Sequence, residues 1–515
     1  MSEPLDRGVG EVKYFLGIDV GTSESKAVLI DENYLVVSMA SVPHGLLNPQ
    51  PGYFEHDAEK VWWGDCCRLI HRILDESRIR PDRIAAVGCS ALGADLVPVD
   101  EQCRPLRNAI LYGIDSRAYE EIEYLNEKYG KEKVLEFNGR PLCSNDIPPK
   151  MLWLKKHEPE IFDTAYKLLT ASSFLTAKLT GNFTIDRFLA YGPFAPLYSK
   201  KDGQPDMEYV LDFCRPDQLA GVKETVDIAG YVTEKASEEC GLCEGTPIIT
   251  GTDDAAAEAV STGVAEPGDL MLMLGSSLYM IGICPKMVKD TRIWPGGFLM
   301  PGQCCVQGGT NAAGTLTKWY RDEIFGDYFA EEQKGGRNAF SRMSEEAGEV
   351  PPGAEGLVHL PYLAGERTPV NDPDAKGMIF GLTLKHTRKH LYRAAMETVG
   401  YTIRQHLEIF AVNGIDFKRI YAVGGGTKSP VWLQIIADIT GQEIYKTEVS
   451  VGASYGDALL AAMGSGYLKD LAQIRSLAKI GQCFFPDPIN KGIYEKYQQI
   501  YNDLYARTKD LMHRI

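Results

Sequence analysis

Two short glycine turns, each directly after an apolar strand, constrain this chain more than any other feature of its sequence. The first, Gly21-Thr22-Ser23, follows the segment Phe15 to Asp19, and the second, Gly275-Ser276-Ser277, follows the segment Leu270 to Leu274. Main-chain N–H groups and hydroxyls at such turns can bind phosphate, and a neighbouring carboxylate can bind a divalent metal. Two such units predict two similar lobes that face one another across a phosphate group.

Length and composition predict two domains and exclude several classes of partner. The chain has 515 residues, of which 44% are hydrophobic, and this is too long for one core. Its formal net charge of −16 offers no basic surface to nucleic acid or to an anionic membrane. The longest apolar run, Leu270 to Cys284, is interrupted by a glycine turn and is shorter than the ~20 residues of a membrane span. We therefore expect a cytoplasmic protein without a membrane or nucleic-acid partner.

Cysteine and histidine spacing does not indicate a metal centre. The twelve cysteines are scattered, and Cys240-Gly241-Leu242-Cys243 has neither a second pair nor a histidine cluster near it. We expect reduced thiols, and the sequence leaves open whether Cys240 and Cys243 have a role.

Strands alternate with helices in both halves, which predicts α/β layers. The expected strands include 14–18, 84–89, 246–250, 271–274, 278–283 and 419–423, and the expected helices include 387–412, 428–440 and 454–466. Asp57 is expected to cap a further helix, and 179–228 is expected to be irregular. The seam Glu266-Pro267-Gly268 predicts a boundary between an N-terminal domain, residues 1–265, and a C-terminal domain, residues 266–515.

Two aspartates at strand ends are candidates for chemistry. Asp19 precedes the first glycine turn and could bind metal or only cap the main chain. Asp253 stands between a strand and an alanine-rich helix, where it could accept a proton from an alcohol that attacks phosphorus or could cap that helix. Asp254 could supply the cap instead and so free Asp253. The residues alone leave these alternatives open.

Two further glycine segments are candidates for nucleotide binding. Val423 to Ser429 contains three consecutive glycines between a strand and a helix, which lets a flat ring or a phosphate approach the main chain. The segment Gly308-Gly309-Thr310-Asn311 is a weaker case and could serve only as a turn.

Taken together, these segments resemble the FGGY carbohydrate kinases, and among them the xylulokinase-like enzymes, a branch of the actin-like ATPase and sugar kinase superfamily. The resemblance covers nearly the whole chain. The matching motifs are Gly17 to Ser23, Pro148 to Leu154, Gly251 to Asp254, Leu274 to Ser277, Leu363 to Pro369, Gly377 to Glu397 and Gly424 to Gly426.

The resemblance implies two α/β lobes of the actin-like, ribonuclease H-like fold that flank a central cleft, and an enzyme that uses ATP and Mg²⁺ to phosphorylate a sugar. Asp253 would be the catalytic base, Asp19 would position Mg²⁺, and Gly21-Thr22-Ser23 would meet the transferred phosphate. The expected nucleotide contacts are Gly275 and Ser276 to phosphates, Gly309 to the nucleotide, and Gly425 and Ser429 to adenine. The sugar, the phosphate and the base would belong to the N-terminal lobe, and the nucleotide to the C-terminal lobe.

The usual hallmarks of the sugar are missing. Xylulokinases carry Met-His and glycerol kinases Arg-Glu where this chain has Ala91-Leu92, and Tyr112 to Arg117 replaces a Trp-Asn-Asp segment. Candidates for sugar contacts by position are Ala91, Leu92, Asp115, Asn145 and Asp254. The last three could equally be surface or capping residues.

We predict phosphorylation of a terminal hydroxyl of a ketose, with xylulose or a related pentulose as the expected substrate. The alternatives left open are a kinase for another polyol or sugar, glycerol-, ribulose- or erythritol-like, a nucleotide-gated actin-like ATPase that moves a partner protein, and a sugar-binding regulator without activity. A homodimer is compatible with the sequence, which does not fix the oligomeric state.

Overall fold

A computed structural model describes residues 12–448 and 451–515, and these form two compact units. The first unit contains residues 12–261, 297–302 and 451–477, and the second contains residues 262–296, 303–448 and 478–515. Each unit has its own seven-stranded sheet and its own apolar core. The predicted α/β class with two sheet-based lobes is confirmed.

The sheet of the first unit combines an antiparallel meander with parallel strands. In order across the sheet, the strands are Ile228–Tyr231, Pro247–Ile249, Ile84–Ala91, Tyr14–Val20, Glu24–Asp31 and Val36–Pro43. The last three strands run antiparallel to one another in sequence. On its other side, Tyr14–Val20 is parallel to Ile84–Ala91. A seventh strand, Thr252–Asp253, pairs in parallel with the end of Ile84–Ala91. The carboxyl ends of these three parallel strands therefore lie at the same edge, where ligands of α/β sheets usually bind.

The sheet of the second unit repeats this plan. Its strands in order are Trp294–Gly297, Cys304–Gly308, Leu278–Cys284, Asp269–Leu274, Arg419–Val423, Ile444–Thr447 and Ile480–Phe484. An antiparallel meander again precedes parallel strands, here Asp269–Leu274, Arg419–Val423 and Ile444–Thr447, and an antiparallel strand again ends the sheet. Both glycine turns join the first two strands of their meanders, which agrees with the prediction of two similar lobes.

Helices cover the two sheets, and short strand pairs lie outside them. The helices of the first unit are Gly64–Ser77, Tyr119–Asn138, Ile147–His157, Pro159–Thr164, Ala171–Thr180, Arg187–Tyr191, Val210–Phe213, Glu234–Cys240, Asp254–Ser261, Ala453–Gly464 and Leu471–Leu477. Those of the second are Gly314–Trp319, Gly326–Glu332, Ala339–Gly348, Arg388–Val412, Pro430–Thr440 and Lys491–Met512. The short pairs are Glu55–His56 with Ala109–Ile110, Val97–Val99 with Lys167–Leu169, Thr184–Asp186 with Gly221–Lys223, and Val358–Leu360 with Met378–Phe380.

Several local predictions match these elements. Asp57 accepts a hydrogen bond from the N–H of Lys60 at 3.0 Å and caps the π-helical turn Ala58–Trp63, which continues into helix Gly64–Ser77. The region expected to be irregular contains only short helices and strands. Within residues 12–448 and 451–515, no helix is both long and apolar enough to cross a membrane.

The helix Ala453–Gly464 belongs to the first unit although its sequence lies near the end of the chain. It packs directly on the first sheet, because Gly17 and Gly88 have no side chain. A Cβ at Gly17 would lie 1.9 Å from the carbonyl oxygen of Ser454, and a Cβ at Gly88 would lie 2.4 Å from that of Asp457. The predicted boundary at 265/266 is close to the first change of unit, at 261/262, but it does not anticipate the return of residues 451–477.

Candidate active site

Asp19 lies at the carboxyl end of strand Tyr14–Val20 and is only 8% exposed. Burial, together with the negative charges of Asp254 and Glu258, raises the pKa of Asp19 well above its usual value. A bound cation would stabilise the ionised form of such a buried carboxylate, because it compensates a negative charge that burial makes costly.

The two neighbouring acidic side chains lie on helix Asp254–Ser261, one turn apart. Burial raises the pKa of Asp254 to about 6 and that of Glu258 to about 7. In the described part of the chain, no three His, Cys, Asp or Glu side chains are arranged to bind a metal by themselves. Mg²⁺ usually takes one or two carboxylates and completes its coordination with water and phosphate oxygens. The acidic set around Asp19 therefore fits a cation that arrives together with a phosphorylated substrate.

The turn Gly21-Thr22-Ser23 is closed by a hydrogen bond from the N–H of Gly21 to the carbonyl of Glu24, at 3.1 Å. The hydroxyl of Thr22 lies 3.0 Å from that of Tyr112. The turn is therefore tied to the loop that carries the candidate sugar contact Asp115.

Asp253 ends the strand that pairs with Ile84–Ala91, and its Oδ1 accepts a hydrogen bond from the N–H of Ala256 at 2.8 Å. It is thus Asp253 that caps the following helix, and the alternative in which Asp254 supplies the cap is wrong. The reason is geometric, since the helix begins at Asp254 and the capping side chain comes from the residue before the first helical position.

The second carboxylate oxygen of Asp253 faces Gly93, in the loop after Ile84–Ala91. A Cβ at Gly93 would lie only 3.0 Å from Oδ2 of Asp253, so a larger residue would crowd this oxygen. Burial and the charges of Asp254 and Asp186 raise the pKa of Asp253 well above its usual value. The helix therefore fixes Oδ1 of Asp253. Oδ2 is the other oxygen of the same carboxylate, and the raised pKa makes this carboxylate more basic.

Two polar residues that the sequence analysis missed, Ser90 and Asp457, lie close to Asp19. Ser90 donates a hydrogen bond from its hydroxyl to Oδ2 of Asp457 at 2.6 Å, and the same hydroxyl lies 3.5 Å from Oδ1 of Asp19. Ser90 has one proton, which the shorter contact takes. Asp457 is fully buried on helix Ala453–Gly464. The sequence does contain a signal for Asp457, because it is the single carboxylate in segment 456–462, whose other residues are small or apolar.

The candidate sugar contacts differ in their surroundings. Ala91 and Leu92 are 0% and 2% exposed and pack in the core, and the N–H of Leu92 donates to the carbonyl of Val20 at 3.0 Å. Asp115 accepts hydrogen bonds from the N–H of Phe54 at 2.6 Å and from Arg117 at 2.8 to 3.1 Å.

Asn145 is held by a different contact. Its Oδ1 accepts a hydrogen bond from the N–H of Gly113 at 3.1 Å. Its neighbours are fixed by the buried Lys150, which donates hydrogen bonds to the carbonyls of Ser144 and Asp146. Contacts of Asn145, Asp115 and Asp254 with a sugar stay predictions.

In the second unit, two glycine segments lie side by side. Met273 pairs with Val423 in the parallel strands, so the turn at Gly275 and the glycines from Gly424 onward leave the sheet at the same edge. Gly424 has φ of 86°, and a Cβ there would lie 2.8 Å from the carbonyl oxygen of Leu274. The carbonyls of Gly275 and Ser276 are occupied by the N–H groups of Gly314 and Thr315, at 2.9 Å each.

The remaining predicted nucleotide contacts differ in how much space surrounds them. No atom would lie within 4 Å of a Cβ at Gly425, so a ligand has room there. Ser429 caps helix Pro430–Thr440 by accepting from the N–H of Trp432 at 3.2 Å. The N–H of Gly309 donates to the hydroxyl of Thr368 at 2.7 Å. The nucleotide contacts of Gly309, Gly425 and Ser429 stay predictions.

Glu366 is a buried acidic residue of the second unit to which the sequence analysis gave no role, although it lies within a matching motif. It accepts a hydrogen bond from the hydroxyl of Thr310 at 2.6 Å and one from the N–H of Asn311 at 3.3 Å. Burial raises its pKa to about 7. Glu366 thus holds the Gly309 segment in place.

Comparison with known proteins accounts for this arrangement. Residues 14–261 match the N-terminal domain and residues 270–465 the C-terminal domain of the FGGY family of carbohydrate kinases. The chain is 30% identical to a xylulose kinase of Escherichia coli (strain K12), with 97% of this chain and 100% of the relative covered. It is 28% identical to a xylulose kinase of Bacillus subtilis (strain 168), with 97% and 98% covered.

A solved structure gives the same result for the fold. The xylulose kinase from Rhodospirillum rubrum has a TM-score of 0.88 and 28% sequence identity, over 97% of this chain and 100% of that chain. The predicted actin-like ATPase fold is confirmed. With both domain models matched in order along the chain, the protein belongs to the FGGY family of carbohydrate kinases.

Proposed function

We propose that this enzyme transfers the γ-phosphate of ATP to a hydroxyl group of xylulose or a closely related pentulose. The relatives named xylulose kinase, which match almost the whole chain, support the choice of sugar. The observation that carries the proposal is the carboxylate of Asp253, with one oxygen bonded to its own helix and the other beside Gly93.

Asp253 would act as the general base through Oδ2. As the sugar hydroxyl attacks the γ-phosphorus, its proton moves to Oδ2, the bond to the β,γ-bridging oxygen breaks, and ADP leaves. The raised pKa of Asp253 favours this transfer, because it makes the carboxylate a stronger base. The hydrogen bond from Ala256 to Oδ1 would hold the carboxylate in one orientation throughout.

Asp19 would hold Mg²⁺, which when bound neutralises charge on the phosphate groups. The turn Gly21-Thr22-Ser23 would contact the transferred phosphate. In the second unit, the proposed nucleotide contacts are Gly275 and Ser276 with phosphates, Gly309 with the nucleotide, and Gly425 and Ser429 with adenine. The sugar site would thus belong to the N-terminal half and the nucleotide site to the C-terminal half.

The acidic surroundings of Asp253 favour an uncharged sugar. Asp254 is next to it, and after burial the negative charge of Asp254 is the largest cause of the raised pKa of Asp253. A sugar acid would add a further negative charge, which is unfavourable where solvent screening is weak. Because Ala91-Leu92 replaces both known hallmark pairs, a second candidate is another neutral substrate such as ribulose, glycerol or erythritol.

Location and assembly complete the proposal. We place the reaction in the cytoplasm, where ATP serves as the phosphate donor. A homodimer is compatible with the proposal, and sedimentation equilibrium of the purified protein decides it.

The sharpest test is Asp253→Asn, measured as ADP release with xylulose, ribulose, glycerol and erythritol in turn. Asparagine caps helices as well as aspartate does, so the variant keeps the cap and removes only the base. We expect xylulose-dependent turnover to fall by about 10²- to 10⁴-fold while the melting temperature is maintained.

The matched control is Asp163→Ala, which removes an exposed aspartate of helix Pro159–Thr164. Its turnover should equal that of the unaltered enzyme. ADP release without any sugar, at the rate seen with sugar, would contradict the proposal, as would full sugar-dependent activity in Asp253→Asn.

A further inference from the structure

His44 lies directly after the edge strand Val36–Pro43 and contacts the first glycine turn at both ends. Its main-chain N–H donates to the carbonyl of Ser23 at 2.9 Å, and its ring Nε2 lies 3.1 Å from the carbonyl of Gly21. Only 6% of its side chain is exposed. The ring is therefore part of the support of the turn and not a surface group.

The other ring nitrogen of His44, Nδ1, lies 2.8 Å from Oδ2 of Asp65 on helix Gly64–Ser77. Asp65 is fully buried and also accepts hydrogen bonds from the hydroxyl of Ser25, at 2.9 Å, and from the guanidinium of Arg68. Burial raises the pKa of Asp65, but the hydrogen bonds from His44, Ser25 and Arg68 outweigh burial and lower it. Asp65 is thus an ionised carboxylate, which can only accept hydrogen bonds.

The nearest oxygen to each ring nitrogen of His44 therefore only accepts. The hydroxyl of Ser25 also lies 3.4 Å from Nδ1, but it donates its one proton to Asp65 at 2.9 Å. A neutral imidazole has one N–H and one lone pair, so one of the two contacts would place a lone pair against an oxygen at hydrogen-bond distance. An imidazolium has two N–H groups and satisfies both.

The adjacent His56 differs from His44. The two rings lie 5.0 Å apart at 86°, and Nε1 of Trp62 donates to Nδ1 of His56 at 3.1 Å. Burial and the positive charge of His44 lower the pKa of His56 to about 4. His56 is thus a neutral ring at pH 7.

We propose that His44 is a positioning residue, held as an imidazolium by Asp65, that orients the glycine turn and places a positive charge at the site of the transferred phosphate. A trans peptide unit points its C=O and N–H in opposite directions. Fixing the carbonyl of Gly21 towards His44 therefore turns the N–H of Thr22 to the opposite side, where it can donate to a phosphate oxygen. The role at the phosphate rests on the proposed function, whereas the protonation state of His44 does not.

The protonation state is measured by NMR of the whole protein with ¹⁵N-labelled histidine, assigned by loss of one signal set in His44→Gln. We expect both ring nitrogens of His44 to carry protons at pH 7.5, without any substrate. A neutral tautomer at this pH would overturn the proposal, whether or not the protein proves to be a kinase.

The positioning role is measured by steady-state kinetics of His44→Gln. We expect kcat to fall by about 10- to 100-fold while the KM for the sugar changes by less than about twofold, because the turn faces the phosphate. The control is His71→Gln, on the same helix as Asp65, where an exposed ring has its Nε2 3.1 Å from the carbonyl of Glu239. Its kcat should stay unchanged.

The double variant His44→Gln/Asp65→Asn distinguishes the positioning role of His44 from a merely structural one. Asp65→Asn leaves the imidazolium without its carboxylate, and His44→Gln leaves Asp65 with only Arg68 and Ser25 as partners, so each single variant is destabilised, whereas replacing both His44 and Asp65 is tolerated. We expect each single variant to lower the melting temperature and the double variant to restore it, with kcat still low. Recovery of kcat together with stability would overturn the proposal. An unaltered enzyme without sugar-dependent ADP release would instead refute the proposed function.

Discussion

At the scale of single residues, the carboxylate of Asp253 caps a helix and is also free to take the proposed second role. Its Oδ1 caps a helix, and this contact determines where its Oδ2 points. The cap and the proposed base are therefore not alternatives, as the sequence suggested, because the two oxygens of one carboxylate can accept independently.

The environment of Oδ2 gives a prediction for Gly93→Ala. The new methyl group would lie 3.0 Å from Oδ2 and 3.2 Å from Cβ of Asp253, so the carboxylate must move by a few tenths of an ångström. We expect kcat to fall by about 10- to 100-fold with little change in melting temperature. Gly326→Ala, where no atom lies within 4 Å of the added Cβ, should have normal kcat. A normal kcat in Gly93→Ala would contradict a base at Asp253.

Sequence reasoning found the residues at strand ends more readily than their supports. Asp19 and Asp253 follow recognisable strands, so their positions at one sheet edge could be predicted. Asp457 could not be placed, because its partner Ser90 lies 367 residues earlier and only the fold brings them together. Ala91 was assigned to the sugar by its position in the chain, and its complete burial is a tertiary effect that the local pattern does not contain.

At the scale of elements, close packing of the helix Ala453–Gly464 on the first sheet depends on missing side chains. A Cβ at Gly17 would overlap the carbonyl oxygen of Ser454 and would also lie 2.5 Å from the main-chain nitrogen of Ala458. Neither atom can rotate away, since both belong to the helix backbone.

We therefore expect Gly17→Ala to destabilise the first unit by at least about 1–3 kcal/mol, the usual cost of overpacking. Urea unfolding followed by tryptophan fluorescence measures this as a lower midpoint. Gly45→Ala is the control, because no atom lies within 4 Å of its added Cβ. Equal midpoints for the two variants would show that the helix can shift at no cost.

The strands, helices and glycine turns were largely predictable, because they depend on local periodicity and on turn residues. The cap at Asp57 and the strand–turn–strand units are examples. The membership of residues 451–477 in the first unit was not predictable, since their own pattern of small residues fits packing on either sheet.

At the scale of the whole molecule, buried acidic groups should make stability depend on pH. Burial raises the pKa of Asp95 to about 8 and those of Glu258 and Glu366 to about 7. The folded protein then binds more protons than the unfolded chain, so stability falls as pH rises through these values. Buried His359 and His406, each with pKa lowered to about 4 by burial, act in the opposite direction only below about pH 6.5.

Between about pH 6.5 and 8, the carboxyl groups therefore dominate, and we expect the urea midpoint to decrease steadily over this range. Glu366→Gln should weaken the pH dependence of the urea midpoint for the second unit, and Glu258→Gln should weaken it for the first. A midpoint that is constant or increases over this range would show that these groups are ionised in the folded protein at pH 6.5.

The return of residues 451–477 to the first unit has a practical consequence for anyone who wishes to dissect the enzyme. A fragment that stops at residue 261 lacks the helix that packs on Gly17 and Gly88, so this part of the sheet is exposed to solvent. We expect such a fragment to precipitate during expression. Co-expressing a peptide of residues 451–477, or joining it behind residue 261 through a flexible linker, should yield a soluble half-enzyme.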